Sequence, residues 1–161
     1  MTKSGEVVLV LLRVALGILF TYAGVTKVLN PAWSPAGYLK GADSFVLFYS
    51  WLANPSVIDV VTWLNQWGLT LIGVALILGV VVRFASTMGI ILMMLYYGAI
   101  LRFPYAGDHS WVIDEHVIYS LLFMLFILEK AGRSYGLDGV SRRLIGQRSL
   151  FGIGPLYRRL S

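Results

Sequence analysis

Residues 109–128 read His-Ser-Trp-Val-Ile-Asp-Glu-His-Val-Ile-Tyr-Ser-Leu-Leu-Phe-Met-Leu-Phe-Ile-Leu, a polar head followed by a mostly apolar run. The apolar run contains no Pro or Gly, so it predicts a helix whose polar head lies at a membrane boundary. Asp114, Glu115 and His116 stand together at that head. An ionisable side chain near the bilayer centre costs about 2.5–3.5 kcal/mol on insertion scales. This cluster therefore needs water, partners or a function.

The composition of the whole chain indicates an integral membrane protein. Of its 161 residues, 58% are hydrophobic and 13% are charged, and the mean hydropathy is +0.76. Such a chain has too few polar side chains to cover a soluble domain. Because a helix rises about 1.5 Å per residue, the length allows four crossings of a hydrocarbon core of about 30 Å. We therefore expect an all-α fold, a bundle of four transmembrane helices in a lipid bilayer.

The apolar segments predict where these helices lie. The expected spans are residues 6–29, 57–82, 85–101 and 112–130. The segment after the first span begins with Pro and Gly residues, which predict turns. Phe45, Phe48, Tyr49 and Leu52 then share one helix face, so we expect an interfacial helix in the first outer loop. Small residues four apart, in Ala75/Gly79 and Ala85/Gly89, predict close helix packing.

The distribution of Lys and Arg predicts the orientation. Most of them lie near the N-terminus, at Arg83 and in the segment 131–161. By the positive-inside rule, both termini face the cytoplasm of a plasma-membrane protein, and 131–161 is a basic cytoplasmic tail. The tail is either ordinary flanking sequence or a segment that docks on anionic lipid or a partner. Because its charges adjoin a membrane span, nucleic acid is not expected as a partner.

This orientation brings polar residues from several segments to the outer end of the bundle. Lys27 is either an interfacial anchor or part of an anion site. Asp59 and Trp63 belong either to an interfacial belt or to the same site. Arg102 either forms a salt bridge with Asp108 or binds an anion.

Several cofactor classes are not expected. The chain has no Cys, which excludes disulfides, cysteine-ligated iron–sulfur clusters and thiolate chemistry within it. His109 and His116 are its two histidines, too close in sequence to ligate haem from opposing helices. A metal site at His109, Glu115 and His116 would have few convergent ligands, because neighbouring positions diverge by about 100° on a helix.

Four short motifs carry a resemblance to a known family. They are Arg13-xxx-Gly17, Ala23-Gly24-xx-Lys27, Gly68-Leu-xxx-Gly73-x-Ala75 and Gly132-Arg-Ser-Tyr-Gly-Leu-Asp138. Over about residues 10–139 the chain resembles the DoxX/DoxD family of small four-helix membrane proteins, and its acidic, His-containing fourth span is more similar to the DoxD branch. DoxD is the membrane subunit of thiosulfate:quinone oxidoreductase. It works beside a DoxA subunit and a terminal quinol oxidase.

The resemblance implies a respiratory membrane oxidoreductase that oxidises a sulfur anion such as thiosulfate at its outer face and reduces quinone. Cationic side chains would offset the charge of the anion, and the site would deliver two protons to the quinone. We expect Glu115 and His116 to relay those protons, with Asp114 orienting or pairing. The expected substrate-binding residues are Lys27, Asp59, Trp63, Arg102, His109 and Tyr119.

Two alternatives remain at this point. Asp114 and Glu115 could serve as acidic residues in the first turn of a helix, where they complement its dipole. The whole chain could instead be a non-catalytic accessory subunit that holds a larger respiratory complex, such as a terminal quinol oxidase. A small-solute transporter is disfavoured because the inner half of the bundle has few polar residues beyond Arg13.

Overall fold

The computed structural model describes residues 2–107, 110–132 and 135–139. Helices and one small hairpin make up the regular structure of this part of the chain. The elements are α1 (Lys3–Val28), α2 (Ala36–Lys40), α3 (Val46–Leu52), α4 (Ile58–Leu78), α5 (Val82–Ile100), β1 (Leu101–Arg102), β2 (Tyr105–Ala106) and α6 (Glu115–Leu128).

Three of these helices, α1, α4 and α5, are long and apolar enough to cross a membrane. This confirms the predicted multi-pass helical fold in its main feature. The fourth predicted span corresponds to α6, which has 14 residues. It rises about 21 Å, less than the roughly 30 Å of a hydrocarbon core. Among the described residues, the structure therefore contains three helices of spanning length where the sequence predicted four.

The loop between α1 and α4 contains more helix than predicted. Turns were expected around Pro35, but α2 begins directly after that residue. The helix predicted from Phe45, Phe48, Tyr49 and Leu52 is present as α3. It starts after Phe45, whose backbone lies in the left-handed region at φ 50°. Tyr49 is its buried residue, and the Tyr49 hydroxyl donates a hydrogen bond to the Leu95 carbonyl at 2.7 Å. This bond fastens α3 to α5.

The hairpin of β1 and β2 is absent from the all-α prediction. Its strands are antiparallel, with Leu101 opposite Ala106 and Arg102 opposite Tyr105. Strands of two residues are too short to show the alternating pattern from which strands are predicted. The third span, predicted at residues 85–101, corresponds to α5, and the chain turns back directly after it.

Glycines let α1 and α4 approach with their backbones in contact. A Cβ atom at Gly24 would lie 2.5 Å from the Thr70 amide nitrogen, and one at Gly73 would lie 2.7 Å from the Gly17 carbonyl oxygen. No side chain fits at those distances. Gly17, Gly24 and Gly73, which carry the family motifs, are therefore contact points between these two helices.

The predicted packing role of Gly89 is also confirmed. A Cβ atom at Gly89 would lie 2.6 Å from Cε2 of Phe123, so this ring of α6 packs directly on α5. Phe123 belongs to the main core with Phe20, Leu76 and Phe126, all of them buried. Gly79 has a different role from the predicted one. It ends α4 in the left-handed region at φ 66°, which glycine adopts without strain.

Arg13 is buried inside the bundle and is 1% exposed. Its guanidinium donates hydrogen bonds to the carbonyls of Ala131 and Tyr135, which follow α6. Arg13 thus pairs with the backbone of a segment more than 100 residues away in the sequence.

Asp138 completes this buried polar cluster from the same segment. It is 1% exposed and accepts hydrogen bonds from the Val81 and Val82 amides at 3.0 and 3.2 Å. Those amides lie at the start of α5, so Asp138 supplies the cap that the turn itself lacks. Its carboxylate also attracts Arg13 electrostatically. One cluster thus joins α1, the α4–α5 turn and the segment after α6.

We predict that Gly24→Ala destabilises the protein, because the new methyl group would overlap Thr70. Overpacking of this kind costs about 1–3 kcal/mol. Gly68→Ala in α4 is the matched control, since a Cβ atom there would have no neighbour within 4 Å. There the gain in helix propensity should stabilise the protein by up to about 1 kcal/mol. Denaturant unfolding in detergent measures both, and equal effects would contradict the close-contact assignment.

We further predict that Asp138→Ala costs about 3–5 kcal/mol, because it leaves the buried Arg13 charge without its carboxylate and removes the cap of α5. The control is Asp43→Ala, which breaks the exposed Arg102–Asp43 ion pair. That pair should contribute less than about 1 kcal/mol. Unfolding free energies of the two variants give the comparison. A loss at Asp138 no larger than that at Asp43 would refute the structural role of the cluster.

Candidate functional site

A cavity of about 460 Å³ opens between α1, α5, α6 and the loop that leads to α2. Four of the predicted site residues, Lys27, Glu115, His116 and Tyr119, line it together. Its other walls are aromatic and aliphatic. They are formed by Leu19, Phe20, Ala23, Trp33, Ser34, Pro35, Tyr38, Leu69, Met93 and Tyr96. A mostly apolar cavity with a few convergent polar groups is the usual form of a small-molecule site.

Lys27 comes from the last turn of α1, where a cation complements the helix dipole. Its ammonium nitrogen lies 5.2 Å from the centroid of the Trp33 ring and 5.9 Å from that of Tyr96. These are cation–π distances. The Gln66 side chain also donates a hydrogen bond to the Lys27 carbonyl at 3.0 Å, which ties this turn to α4. Lys27 is therefore a half-buried cation held between two aromatic rings at the cavity wall.

Asp114 has two roles at the start of α6. It is the N-cap residue, and one carboxylate oxygen accepts hydrogen bonds from the His116 and Val117 amides at 3.1 and 3.2 Å. The other oxygen lies 2.5 Å from Nδ1 of His116. The helix-cap interpretation is thus confirmed for Asp114, and the same side chain also fixes the imidazole. A carboxylate on Nδ1 leaves Nε2 as the nitrogen available to other groups.

The imidazole of His116 also contacts Tyr96. Their ring centroids are 5.5 Å apart and the planes are tilted by 33°. Because Tyr96 lies beside both His116 and Lys27, one phenol ring joins the acidic head of α6 to the end of α1. Glu115 lines the same cavity with its side chain exposed, and Tyr119 follows one turn later on α6. The site therefore combines a cation, a carboxylate–imidazole pair and a second carboxylate open to solvent.

Three other predicted residues, Asp59, Trp63 and Arg102, lie away from this cavity. Arg102 forms an ion pair with Asp43 at 2.6 Å, and its side chain is 74% exposed. Asp59 and Trp63 lie near the start of α4 on its exposed side, and neither lines the cavity. His109, like Asp108, falls outside the described residues. Within the described part of the chain, no three His, Cys, Asp or Glu side chains gather as metal ligands.

Four aromatic residues of the site were not predicted: Phe20, Trp33, Tyr38 and Tyr96. Met93 and Tyr96, both from α5, line the cavity. The Tyr38 hydroxyl donates a hydrogen bond to the Tyr96 carbonyl at 2.8 Å, and the two rings meet edge to face at 5.6 Å. Burial, and after it the neighbouring ionisable groups, raise the pKa of Tyr38. Its hydroxyl therefore stays protonated as the donor of this bond.

The fold and the site together define the class of the protein: a multi-pass helical membrane protein with a ligand-sized cavity at one end of its bundle. The DoxX family model matches residues 8–101, more than half of the chain, and the chain belongs to the DoxX family. The match includes Lys27, Trp33 and Tyr96 and ends before Asp114. No curated protein and no solved structure matches the chain.

The two roles of Asp114 can be separated by substitution. We predict that Asp114→Ala weakens the first turn of α6 by about 1 kcal/mol, because the cap is lost. Asp114→Ser should restore the cap, since a hydroxyl oxygen can accept from the same amides, but should leave His116 without its carboxylate. Hydrogen exchange at the His116 and Val117 amides measures the cap. Unchanged protection in Asp114→Ala would contradict this assignment.

Proposed function

We propose that this DoxX-family protein is a membrane subunit of a quinone-linked oxidoreductase. In this proposal the cavity binds a quinone ring, and a small sulfur anion such as thiosulfate supplies the electrons at the outer face. The observation that carries the proposal is the placement of the Asp114–His116 pair, Glu115 and Lys27 around one mostly apolar cavity. A quinone has a flat, apolar ring that carries two polar carbonyl oxygens. It therefore suits a mostly apolar cavity with a few polar groups.

The reaction balances without a resident metal or sulfur group in this chain. Two thiosulfate ions join through a new sulfur–sulfur bond and lose two electrons. A quinone gains those two electrons and two protons and becomes a hydroquinone. The protein must therefore hold the quinone, deliver protons and bring a divalent anion close to it.

The proton supply is assigned to the head of α6. Nε2 of His116 is available to donate a hydrogen bond to a quinone oxygen, because Asp114 engages Nδ1. The same carboxylate would stabilise the imidazolium between turnovers. Glu115 is exposed at the cavity, so it can take up protons from solvent. General acid catalysis of this kind typically contributes about 10²–10⁴-fold in rate.

The attraction for the anion is assigned to Lys27. The Lys27 side chain lines the cavity, whereas the Arg102 side chain pairs with Asp43 outside it. The Trp33 and Tyr96 rings hold its ammonium group in place without neutralising its charge. Lys27 therefore remains able to attract a sulfur anion.

The proposal includes the membrane arrangement inferred from the basic residues, with both termini in the cytoplasm and the cavity at the outer end of a plasma-membrane bundle. The hydrogen bond from the Asp138 amide to the Gly79 carbonyl, at 3.0 Å, supports a fourth crossing near α6. This bond joins the segment that follows α6 to the end of the bundle where α4 meets α5.

The test is quinone reduction by the purified full chain in lipid, with thiosulfate as the donor. We expect Glu115→Gln, His116→Gln and Lys27→Gln each to lower the rate by about 10²-fold. Glu129→Gln is the matched control, because Glu129 is an exposed carboxylate at the opposite end of α6. Its rate should equal that of the wild type.

Three results would decide against the proposal or part of it. A normal rate in Glu115→Gln removes the assigned proton role of that residue. A normal rate in Lys27→Gln removes the anion site. Absence of turnover in folded wild-type protein, together with larger respiratory subunits that co-purify with it, would replace the enzyme with a non-catalytic accessory subunit. If a DoxA-like subunit is among those partners and its addition gives turnover, the proposal of an enzyme holds.

A further inference from the structure

A second pocket lies under the two short helices, next to the cavity but chemically different from it. Its volume is about 190 Å³. It is lined by Pro35, Tyr38, Leu39, Tyr49, Leu52, Val61, Leu64, Asn65, Leu92, Leu95 and Tyr96. None of these side chains is charged. The pocket therefore suits a neutral ligand, unlike the cavity that contains Lys27 and Glu115.

The size of the pocket corresponds to one substituted ring. A cavity of about 150 Å³ lined by aliphatic and aromatic side chains stays dry and binds benzene. The walls here are of the same kind, formed by leucines and tyrosine rings together with a few other side chains. A benzene ring with one or two small substituents therefore fits the space.

Asn65 is a buried polar residue of this pocket whose side-chain amide is not fully hydrogen-bonded. The side chain is 8% exposed, and its amide nitrogen donates a hydrogen bond to the Tyr96 hydroxyl at 2.5 Å. Its amide oxygen is buried and has no hydrogen-bond partner in the part of the chain that the structure describes. A buried oxygen without a donor is unfavourable, so a ligand that supplies a donor would be favoured here.

The tyrosine hydroxyls of the same pocket are already engaged. Tyr49 donates to the Leu95 carbonyl at 2.7 Å and Tyr38 to the Tyr96 carbonyl at 2.8 Å. Burial raises the pKa of both residues, which keeps the two hydroxyls protonated. Neither of these two protons is therefore free for the Asn65 oxygen, and the Tyr96 hydroxyl lies on the Asn65 amide nitrogen instead. A ligand from outside the pocket can supply the missing donor.

We propose that this pocket is a second ligand site, which takes a neutral aromatic ring bearing a hydroxyl group, as in a phenol or a hydroquinone. The ring would lie among the leucines and tyrosines, and its hydroxyl would donate a hydrogen bond to the Asn65 oxygen. Leu64 and Leu95 are 56% and 40% exposed, so the pocket has an apolar rim toward the outside of the bundle. An apolar ligand can enter there from lipid. The proposal stands apart from the redox function of the larger cavity.

The experiment uses two fluorinated rings of nearly equal shape, 4-fluorophenol and 4-fluorotoluene. The first carries a hydroxyl group where the second carries a methyl group. Their affinities for the full chain in detergent micelles are measured by fluorine NMR titration. Detergent partitioning cancels when the affinity ratio of the two probes is compared between proteins. We expect Asn65→Leu to reduce the preference for the phenol about tenfold, which corresponds to one hydrogen bond.

Two further variants keep the test decisive. Gln66→Leu is the matched control, because Gln66 is the neighbouring amide on α4 and does not line this pocket. Its phenol preference should equal that of the wild type. Val61→Phe places a ring in the pocket itself, so both probes should bind at least tenfold more weakly. An unchanged preference in Asn65→Leu would overturn the assigned hydrogen bond. Unchanged binding in Val61→Phe would assign the probes to another part of the protein and refute the site.

Discussion

The buried guanidinium of Arg13 is the contact on which the arrangement of the bundle depends. A charge in this position is stable only if it is hydrogen-bonded and paired. The carbonyls of Ala131 and Tyr135 and the carboxylate of Asp138 meet that requirement. Because Asp138 also caps α5, the same cluster fixes the turn between α4 and α5. Close packing along the glycines of α1 and α4 then sets how the helices lie from that end toward the cavity.

The opposite end of the bundle shows a different way of holding charge. Lys27 lies between the faces of two rings, and His116 is fixed by a carboxylate that also caps its own helix. Lys27 and His116 are both less enclosed by protein than Arg13, and both line the cavity. Charges that stabilise a fold are surrounded by protein, whereas charges that meet a ligand must keep one side free. This difference in burial is the physical reason why we propose a ligand site at the Lys27 end.

The sequence was a good guide where one physical term dominates. Long apolar segments predicted the spanning helices, because lipid requires every backbone group to be paired within the segment. Lys27, Glu115 and His116 were conspicuous in the sequence, because charge inside apolar sequence is costly. The structure brings them to one cavity, and their roles there stay predictions. Trp33 and Tyr96 were missed, since aromatic residues are ordinary components of membrane helices. The partners of Arg13 could not be predicted, because they are backbone carbonyls distant in sequence. The short α2 and the hairpin lack enough residues for a periodic pattern.

Tyr96 connects the two pockets, and its position restricts how they can work. Its ring contacts His116 and Lys27 on the side of the charged cavity, while its hydroxyl accepts from Asn65 in the apolar pocket. Tyr38 packs against the same ring and lines both spaces. A ligand that moves either tyrosine in one pocket therefore changes the wall of the other. Such coupling requires differential contacts in each state, which these two side chains can supply because both of them line the two pockets.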